Sequence, residues 1–280
     1  MSARRRGRDT ISFLSDYGTD DEFVGVVKSV LRQLAGQVVV IDLTHQVAPH
    51  DVRAGALTLQ RAVPFLAPGV VLAVVDPGVG TSRRAVALEV GPDPRWALVG
   101  PDNGLLVPAF EALGGPGRAV SLHNRRCHPG AGATFDGRDL FAPAAAQLCA
   151  GADLGDLGPE IDPASLVPGP RPAPFRQGTG VVTEVLWIDR FGNAQLAARP
   201  ADLVDVGDPV RLILASGEGV ARRVSAFADL GPGEVGLVVD SWGMIAVVLD
   251  RRSAAGELGL VAGDRVVLER TDADGSRSGP

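Results

Sequence analysis

A cluster of six prolines between Pro159 and Pro174 divides this 280-residue chain into two parts of different character. Proline lacks the amide hydrogen that helices and strand ladders need, so we expect neither structure within the cluster. The predicted organisation is an α/β domain over 10–163, a proline-rich linker over 164–177 and a β-barrel-like domain over 178–270. The ends, 1–9 and 271–280, are predicted to be disordered tails, the first of them rich in arginine.

Before the prolines, short apolar runs alternate with amphipathic segments, which is typical of strand–helix–strand units around a largely parallel sheet. The segment 22–34 shows helical spacing most clearly, and three acidic residues stand at its start, where a helix dipole favours them. The predicted strands are 11–14, 38–43, 70–75, 85–90, 96–99 and 119–122, and the predicted helices are 22–34, 52–65, 105–113 and 140–149.

After the prolines, short β-rich runs are separated by turns of glycine, aspartate and proline. This pattern predicts a small barrel or sandwich. The predicted strands are 181–188, 210–214, 235–239, 244–249 and 265–268.

Charge and cysteine content narrow the possible partners and compartments. With 27 basic and 33 acidic residues the net charge is −6, so no global positive field is available for nucleic acid. No stretch has the length of a membrane span, and the basic start lacks the apolar segment of a secretory signal. Cys127 and Cys149 form no metal or redox motif. We therefore expect a cytoplasmic protein with two inert thiols, bound to neither nucleic acid nor membrane.

Three polar clusters follow predicted strands of the first domain, at 15–21, 76–83 and 100–104. Open α/β sheets bind ligands beyond the carboxyl ends of their strands, so three such loops predict a crevice. An aspartate there can accept two hydrogen bonds from a ribose diol or hold an ammonium group. The alternative is that these residues only make turns and helix caps, where they are common.

Several standard motifs are missing from the chain. There is no GxGxxG after the first strand, no GxxxxGK[ST] and no GxSxG, which argues against a standard dinucleotide cradle, a nucleoside-triphosphate cradle and an α/β-hydrolase. The four histidines form no zinc pattern, so we expect no catalytic metal.

Five motifs in this order resemble the S-adenosyl-L-methionine (SAM) hydroxide adenosyltransferases, the adenosine-forming SAM hydrolases, which are relatives of the fluorinase and chlorinase. The resemblance runs from about residue 11 to 268. The motifs are Ser15-Asp16-Tyr17-Gly18, Asp76-Pro77-Gly78-Val79-Gly80-Thr81 with Arg83, Pro101-Asp102-Asn103-Gly104, Thr134-Phe135-Asp136-Gly137-Arg138-Asp139 and Ile188-Asp189-Arg190-Phe191-Gly192-Asn193.

The resemblance implies that water attacks the ribose C5′ of SAM and that methionine leaves as a neutral thioether, with no cofactor beyond the substrate. It also implies a homotrimer, with each site between the first domain of one subunit and the β-domain of its neighbour. The implied catalytic pair is Asp76 and Arg83, with Arg83 aimed at the attacking oxygen. The implied substrate-binding residues are Asp16, Asp21, Asn103, Asp189, Phe191, Asn193, Phe227 and Ser241.

Asp136 departs from the family pattern, which has a histidine after Thr-Phe as the third catalytic residue. Two carboxylates beside one arginine repel each other unless the arginine bridges both or one holds a proton. We predict that Asp136 orients the attacking water. The alternative is that it merely caps the turn before the helix predicted at 140–149.

Two other functions stay open at this point. A SAM-dependent halogenase is the first, although halogenating relatives have tyrosine where Asp76 stands, and a fixed carboxylate repels halide. The fluorinase also carries a long insert where only residues 91–95 join two predicted strands here. The second is a protein that binds SAM or adenosine with little catalysis, because the family histidine is missing.

Overall fold

A seven-stranded sheet forms the centre of the first part of the chain in the computed structural model, which describes residues 8–115, 117–123 and 132–271. The spatial order of the strands is β2-β1-β3-β5-β4-β6-β7. The strands are β1 (Thr10–Ser15), β2 (Val39–Thr44), β3 (Val70–Val74), β4 (Ala85–Glu89), β5 (Ala97–Pro101), β6 (Arg118–Ser121) and β7 (Glu160–Ile161).

The direction of these strands confirms the α/β prediction. Strands β2, β1, β3 and β5 are parallel neighbours, and β4, β6 and β7 extend the sheet in antiparallel pairs. Strand β3 is a continuous apolar run with every residue buried, as expected for a strand covered on both faces.

Helices cover the two faces of this sheet. Alternate residues of β3 belong to different cores: Leu72 packs with Val27 of α1 on one face, and Val71 packs with Leu59 of α2 on the other. The helices are α1 (Phe23–Leu34), α2 (Val52–Ala62), α3 (Val107–Ala112) and α4 (Ala142–Cys149), and a π-helical turn (Gly137–Phe141) leads into α4.

The expectation that the proline cluster excludes strands and helices is wrong. Strand β7 lies between Pro159 and Pro163 and pairs with β6 at the edge of the sheet. Strand β8 (Phe175–Gln177) begins directly after Pro174 and pairs with β9 (Gly180–Ile188). A 3-10 turn (Pro163–Ser165) lies between them. The residues between the prolines keep their amide hydrogens, and edge strands tolerate nearby proline.

The second part of the chain is a closed barrel. Strand β9 pairs with β15 on one side and β10 on the other, which closes a ring of seven strands, while β8 adds to β9 outside it. This settles the prediction in favour of a barrel over a sandwich. The remaining elements are β10 (Ala194–Leu196), β11 (Val210–Leu214), β12 (Gly217–Arg223), β13 (Val235–Val239), β14 (Ile245–Val248), α5 (Ala254–Leu258) and β15 (Arg265–Arg270).

The chain divides into two units, 1–170 and 171–280. None of the helices in the described ranges has the length and apolar character that a membrane crossing requires. Cys149 is a buried free thiol, and burial raises its pKa to about 12. Residues 1–7 of the tail predicted over 1–9 and residues 272–280 of the tail predicted over 271–280 lie outside the described residues, as do Cys127 and His128.

Candidate functional site

The loops after β1 and β3 meet at one edge of the sheet because these two strands are adjacent and parallel. The first loop brings Asp16 and Tyr17, and the second brings Asp76 and Val79, to a cavity of about 230 Å³. Thr134, Asp136 and Gly137, at the start of the π-helical turn, complete the same wall. Two of the three predicted loops, 15–21 and 76–83, therefore contribute to a crevice at the carboxyl ends of the strands, while no residue of 100–104 lines it.

A buried guanidinium bridges two carboxylates at this cavity. Arg83 donates from Nε to Asp76 Oδ1 at 3.0 Å and from Nη2 to Asp76 Oδ2 at 2.5 Å. The same Nη2 donates to Asp136 Oδ2 at 2.8 Å. The side chains of Arg83, Asp76 and Asp136 are 10%, 6% and 5% exposed, so solvent screens these interactions little. Of the two arrangements left open by the sequence, the structure has the bridging one.

Asp136 does not act as a helix cap. It precedes the π-helical turn, but its side chain makes no capping hydrogen bond. Its carboxylate turns instead to Arg83, 53 positions earlier in the chain.

Arg83 is not among the residues that line the cavity, whereas Asp76 and Asp136 are. That the guanidinium faces the attacking oxygen stays a prediction. Pairing with Asp76 takes up the Nε–Nη2 edge of the guanidinium, and Nη1 donates to the backbone oxygen of Arg84 at 3.3 Å. The cluster presents two acceptors to the cavity and carries a formal charge of about −1 when both acids are ionised.

Burial raises the pKa of the Asp76 carboxyl, and the nearby charge of Asp136 raises it further, while Arg83 opposes both effects. Burial also raises the pKa of Tyr17, with further contributions from the charges of Asp16, Asp76 and Asp136. Tyr17 thus keeps its proton and remains a neutral hydroxyl at the cavity wall.

Sequence reasoning did not identify Tyr17 as a cavity residue. Its ring packs edge-on against Phe135 at 5.7 Å and tilted against Phe23 at the same distance. A Cβ atom at Gly137 would overlap the Tyr17 hydroxyl, so the glycine makes room for it. The sequence feature that could have pointed to Tyr17 is the presence of a tyrosine in the first motif together with a glycine directly after Asp136.

Asp16 lines the same cavity and accepts a hydrogen bond from the backbone amide of His50 at 2.9 Å. His50 itself has a positive φ of 68° and lies at the rim. One carboxylate oxygen of Asp16 is therefore held by the backbone, which orients the other for a ligand.

A second cavity, of about 380 Å³, lies within the barrel unit. It contains four of the predicted substrate-binding residues: Asp189, Asn193, Phe227 and Ser241. Trp187 and Trp242 add aromatic walls and meet edge to face at 6.2 Å. Asp189 accepts hydrogen bonds from the backbone amides of Phe191 and Asn193 and from the Asn193 side chain, so it shapes this loop.

Three predicted substrate-binding residues lie outside both cavities. Asn103 donates to the backbone oxygen of Val75 and accepts from the amide of Leu105, which is a turn-forming role. Asp21 is exposed in the loop before α1. Phe191 is 77% exposed on the barrel surface. In the described ranges, no group of three or more His, Cys, Asp or Glu side chains is arranged to hold a metal ion.

The fold and the cavities define a two-unit protein with an acidic crevice at the ends of parallel strands and an aromatic cavity in a barrel. Known proteins are similar to this chain in sequence and fold. The family model described as the SAM hydroxide adenosyltransferase N-terminal domain matches residues 11–158, and the model of the C-terminal domain matches 183–267. The chain belongs to the SAM hydroxide adenosyltransferase family.

Individual relatives agree with this assignment. A protein named (R)-S-adenosyl-L-methionine hydrolase from Salinispora tropica is 48% identical, covering 91% of this chain and 96% of the relative. A protein of the same name from Thermus thermophilus is 42% identical, covering 92% and 98%. The crystal structure of an uncharacterised conserved protein from Thermotoga maritima has a TM-score of 0.85 at 33% identity, covering 93% and 100%. A fluorinase from Actinoplanes sp. is more distant, at 29% identity over 94% of this chain.

Proposed function

We propose that this protein hydrolyses SAM to adenosine and L-methionine, as the names of its hydrolase relatives indicate for them. The observation that carries the proposal is the pair of buried carboxylates, Asp76 and Asp136, held at the cavity wall by Arg83. A negative cluster attracts the sulfonium cation of SAM and offers acceptors to a water molecule.

The chemistry suits this arrangement. The oxygen of water forms a bond to ribose C5′, the bond from C5′ to sulfur breaks, and the electron pair leaves with sulfur as a neutral thioether. The departing group needs no proton, so the site has to act on the nucleophile. Asp136 orients the water, and Asp76 accepts its proton, because its raised pKa makes Asp76 a stronger proton acceptor than an ordinary aspartate.

In this mechanism, positioning of the water supplies most of the rate enhancement over the uncatalysed reaction. A water fixed in line with the breaking bond gains about 7–11 kcal/mol in favourable cases, and general base assistance adds about 3–5 kcal/mol. A carboxylate in place of the family histidine is therefore compatible with catalysis.

Further residues take the roles that the resemblance implies. Asp16 holds the ribose hydroxyls, and Asn193, Phe227 and Ser241 of the barrel cavity contact the rest of SAM, with Asp189 fixing the loop of Asn193. Asp21, Asn103 and Phe191 remain proposed contacts. We also propose a metal-independent homotrimer with sites at subunit interfaces, in the cytoplasm.

The test is incubation of the protein with SAM in oxygen-18 water, followed by mass spectrometry of the products. We expect adenosine with the label on its 5′ oxygen and unlabelled methionine. Release of methylthioadenosine, or no product over hours, would overturn the proposal. Tight SAM binding in calorimetry without turnover would establish the alternative of a binding protein.

Halogenation is the other candidate, and the structure disfavours it. Asp76 and Asp136 put two carboxylates at the cavity wall, and a chloride or fluoride ion there would meet net negative charge. Adding chloride or fluoride to the SAM reaction should leave adenosine as the product. A dominant 5′-halo-5′-deoxyadenosine would reverse this choice.

A further inference from the structure

A buried serine and a buried histidine lie next to an exposed aspartate beside the catalytic cavity. Ser15 Oγ, at the end of β1, is 2.7 Å from Nδ1 of His45, which follows β2. His45 Nε2 is 3.3 Å from Asp42 Oδ1, an electrostatic contact that is not a full hydrogen bond. Lys28 donates to the other oxygen of Asp42 at 2.8 Å.

This arrangement has the order of a hydrolase triad, but it cannot act as one. Ser15 is completely buried and His45 is 6% exposed. Neither residue lines the 230 Å³ cavity, so no substrate atom in that cavity reaches the serine oxygen. The group must act on its protein neighbours.

The proton positions follow from the chemistry of the partners. The Asp42 carboxylate only accepts, so it favours the tautomer with the proton on His45 Nε2. Nδ1 is then an acceptor, and Ser15 donates its hydroxyl proton to it. The Ser15 oxygen in turn accepts from the backbone amide of Tyr17 at 3.3 Å.

His45 holds the same turn a second time through its backbone. Its carbonyl oxygen accepts from the amide of Gly18 at 2.7 Å. The ring of Phe13 packs against the imidazole at 4.6 Å between centroids and limits its rotation. His45 therefore fixes both ends of the Asp16–Tyr17 segment, whose side chains both line the cavity.

We propose that His45, acting through Ser15, is a positioning residue that sets the Asp16–Tyr17 turn for recognition of the ribose hydroxyls. The inference rests on the proposed function, in which Asp16 holds those hydroxyls. The relay from Asp42 through His45 to Ser15 does not touch substrate. Its effect is on ribose selectivity.

Two substitutions of His45 separate this role from packing. In His45→Asn the amide oxygen takes the place of Nδ1 and can still accept from Ser15. In His45→Gln the amide reaches the Nε2 position, and Ser15 loses its acceptor. We expect the preference for adenosine over 2′-deoxyadenosine, measured by calorimetry, to fall about tenfold in His45→Gln and Ser15→Ala, and to stay within about threefold of wild type in His45→Asn. If His45 only fills space, His45→Asn should lower the ribose preference more than His45→Gln, because glutamine fills the site better than asparagine.

The matched control is Thr44→Val. It removes the neighbouring hydrogen bond that the Gln46 amide donates to Thr44 Oγ1 but leaves the relay intact. Its ribose preference should equal that of wild type. Equal preferences in His45→Gln, Ser15→Ala and wild type would overturn the inference while leaving SAM hydrolysis intact.

A measurement without substrate keeps the two proposals separate. Nitrogen-15 NMR of the imidazole in the wild-type protein should show the proton on Nε2 and a bare Nδ1. A proton on Nδ1 would overturn the relay even if SAM is hydrolysed. If SAM is not hydrolysed, the proposed function fails while the tautomer is still decided.

Discussion

At the scale of single residues, Arg83 allows two nearly buried acids, Asp76 and Asp136, to lie together in the cavity wall. Its Nη2 group donates to Asp76 and to Asp136, so the positive charge of the guanidinium offsets the repulsion between the carboxylates. Both acids can therefore accept from one water molecule.

Replacing Asp136 by asparagine removes one of those acceptors with little change in shape. Turnover of SAM should fall at least tenfold, while the Kd for SAM changes much less, because the water and not the substrate loses its partner. Single-turnover kinetics and calorimetry measure the two quantities. Asp93→Asn, in an exposed pair with Arg95, is the matched control and should be neutral. Unchanged turnover in Asp136→Asn would remove this residue from the mechanism.

The pH profile of kcat provides a second residue-scale prediction. Asp76 must be ionised to accept a proton, so activity is present above its pKa and is lost as the pH falls through it. Burial and Asp136 raise that pKa above the ordinary value of 3.8, so the acid limb should lie above it. Asp136→Asn removes one cause, and its residual activity should show an acid limb at lower pH. A limb that moves to higher pH would contradict the electrostatic account.

The sequence located part of this site. Asp76 and Arg83 stand seven positions apart in a polar loop after a predicted strand, so their proximity could be predicted. The bridge to Asp136 joins residues 53 positions apart and depends on how α4 packs against the sheet, so the sequence left it open. Asn103 makes hydrogen bonds typical of a turn, and a turn-forming asparagine and a ligand-binding one look alike in sequence.

At the scale of elements, the π-helical turn Gly137–Phe141 is the piece that delivers Asp136 to the cavity. The turn packs under Tyr17 of the β1 loop, and the missing side chain of Gly137 makes this contact possible. The positions of Asp136 and Tyr17 thus both depend on the close approach between Gly137 and the Tyr17 hydroxyl.

Gly137→Ala should therefore lower both stability and turnover. The added methyl group meets the Tyr17 hydroxyl, and overpacking of this kind costs about 1–3 kcal/mol of unfolding free energy. Urea denaturation measures the loss. Gly25→Ala in α1, where a Cβ meets nothing within 4 Å, is the control and should be neutral or stabilising.

The double variant Gly137→Ala/Tyr17→Phe makes this prediction specific. Removing the hydroxyl removes the nearest atom to the new methyl group, so much of the lost stability should return. If the two changes are additive, the close approach is not the cause.

The elements that could be predicted from the sequence are those with a continuous apolar run or a clear helical periodicity. Strand β3 is uniformly apolar and α1 has buried residues one turn apart, Val27 and Leu31. Strand β12, with two glycines and three charged residues in seven positions, and the two-residue β7 carry no such pattern and were missed. Neighbouring strands supply their partners, and a single sequence does not show that.

At the scale of the whole molecule, the proposed trimer places catalytic acids and barrel residues of one site on different subunits. Asp76→Asn and Asn193→Ala subunits should each be inactive alone. Co-expressed at random, they should recover about a quarter of wild-type turnover, because one site in four then combines an intact first unit with an intact neighbouring barrel. Recovery near zero in mixed trimers would mean that one subunit supplies the whole site.

In the proposed mechanism, the carboxylates held by Arg83 face the oxygen that attacks C5′. A crystal structure of the wild-type protein with adenosine and L-methionine tests it most directly, because the 5′ oxygen of adenosine is the former water. We expect this oxygen to lie within hydrogen-bond distance of Asp76 or Asp136, with the methionine sulfur on the opposite side of C5′. A 5′ oxygen turned away from both carboxylates would contradict it.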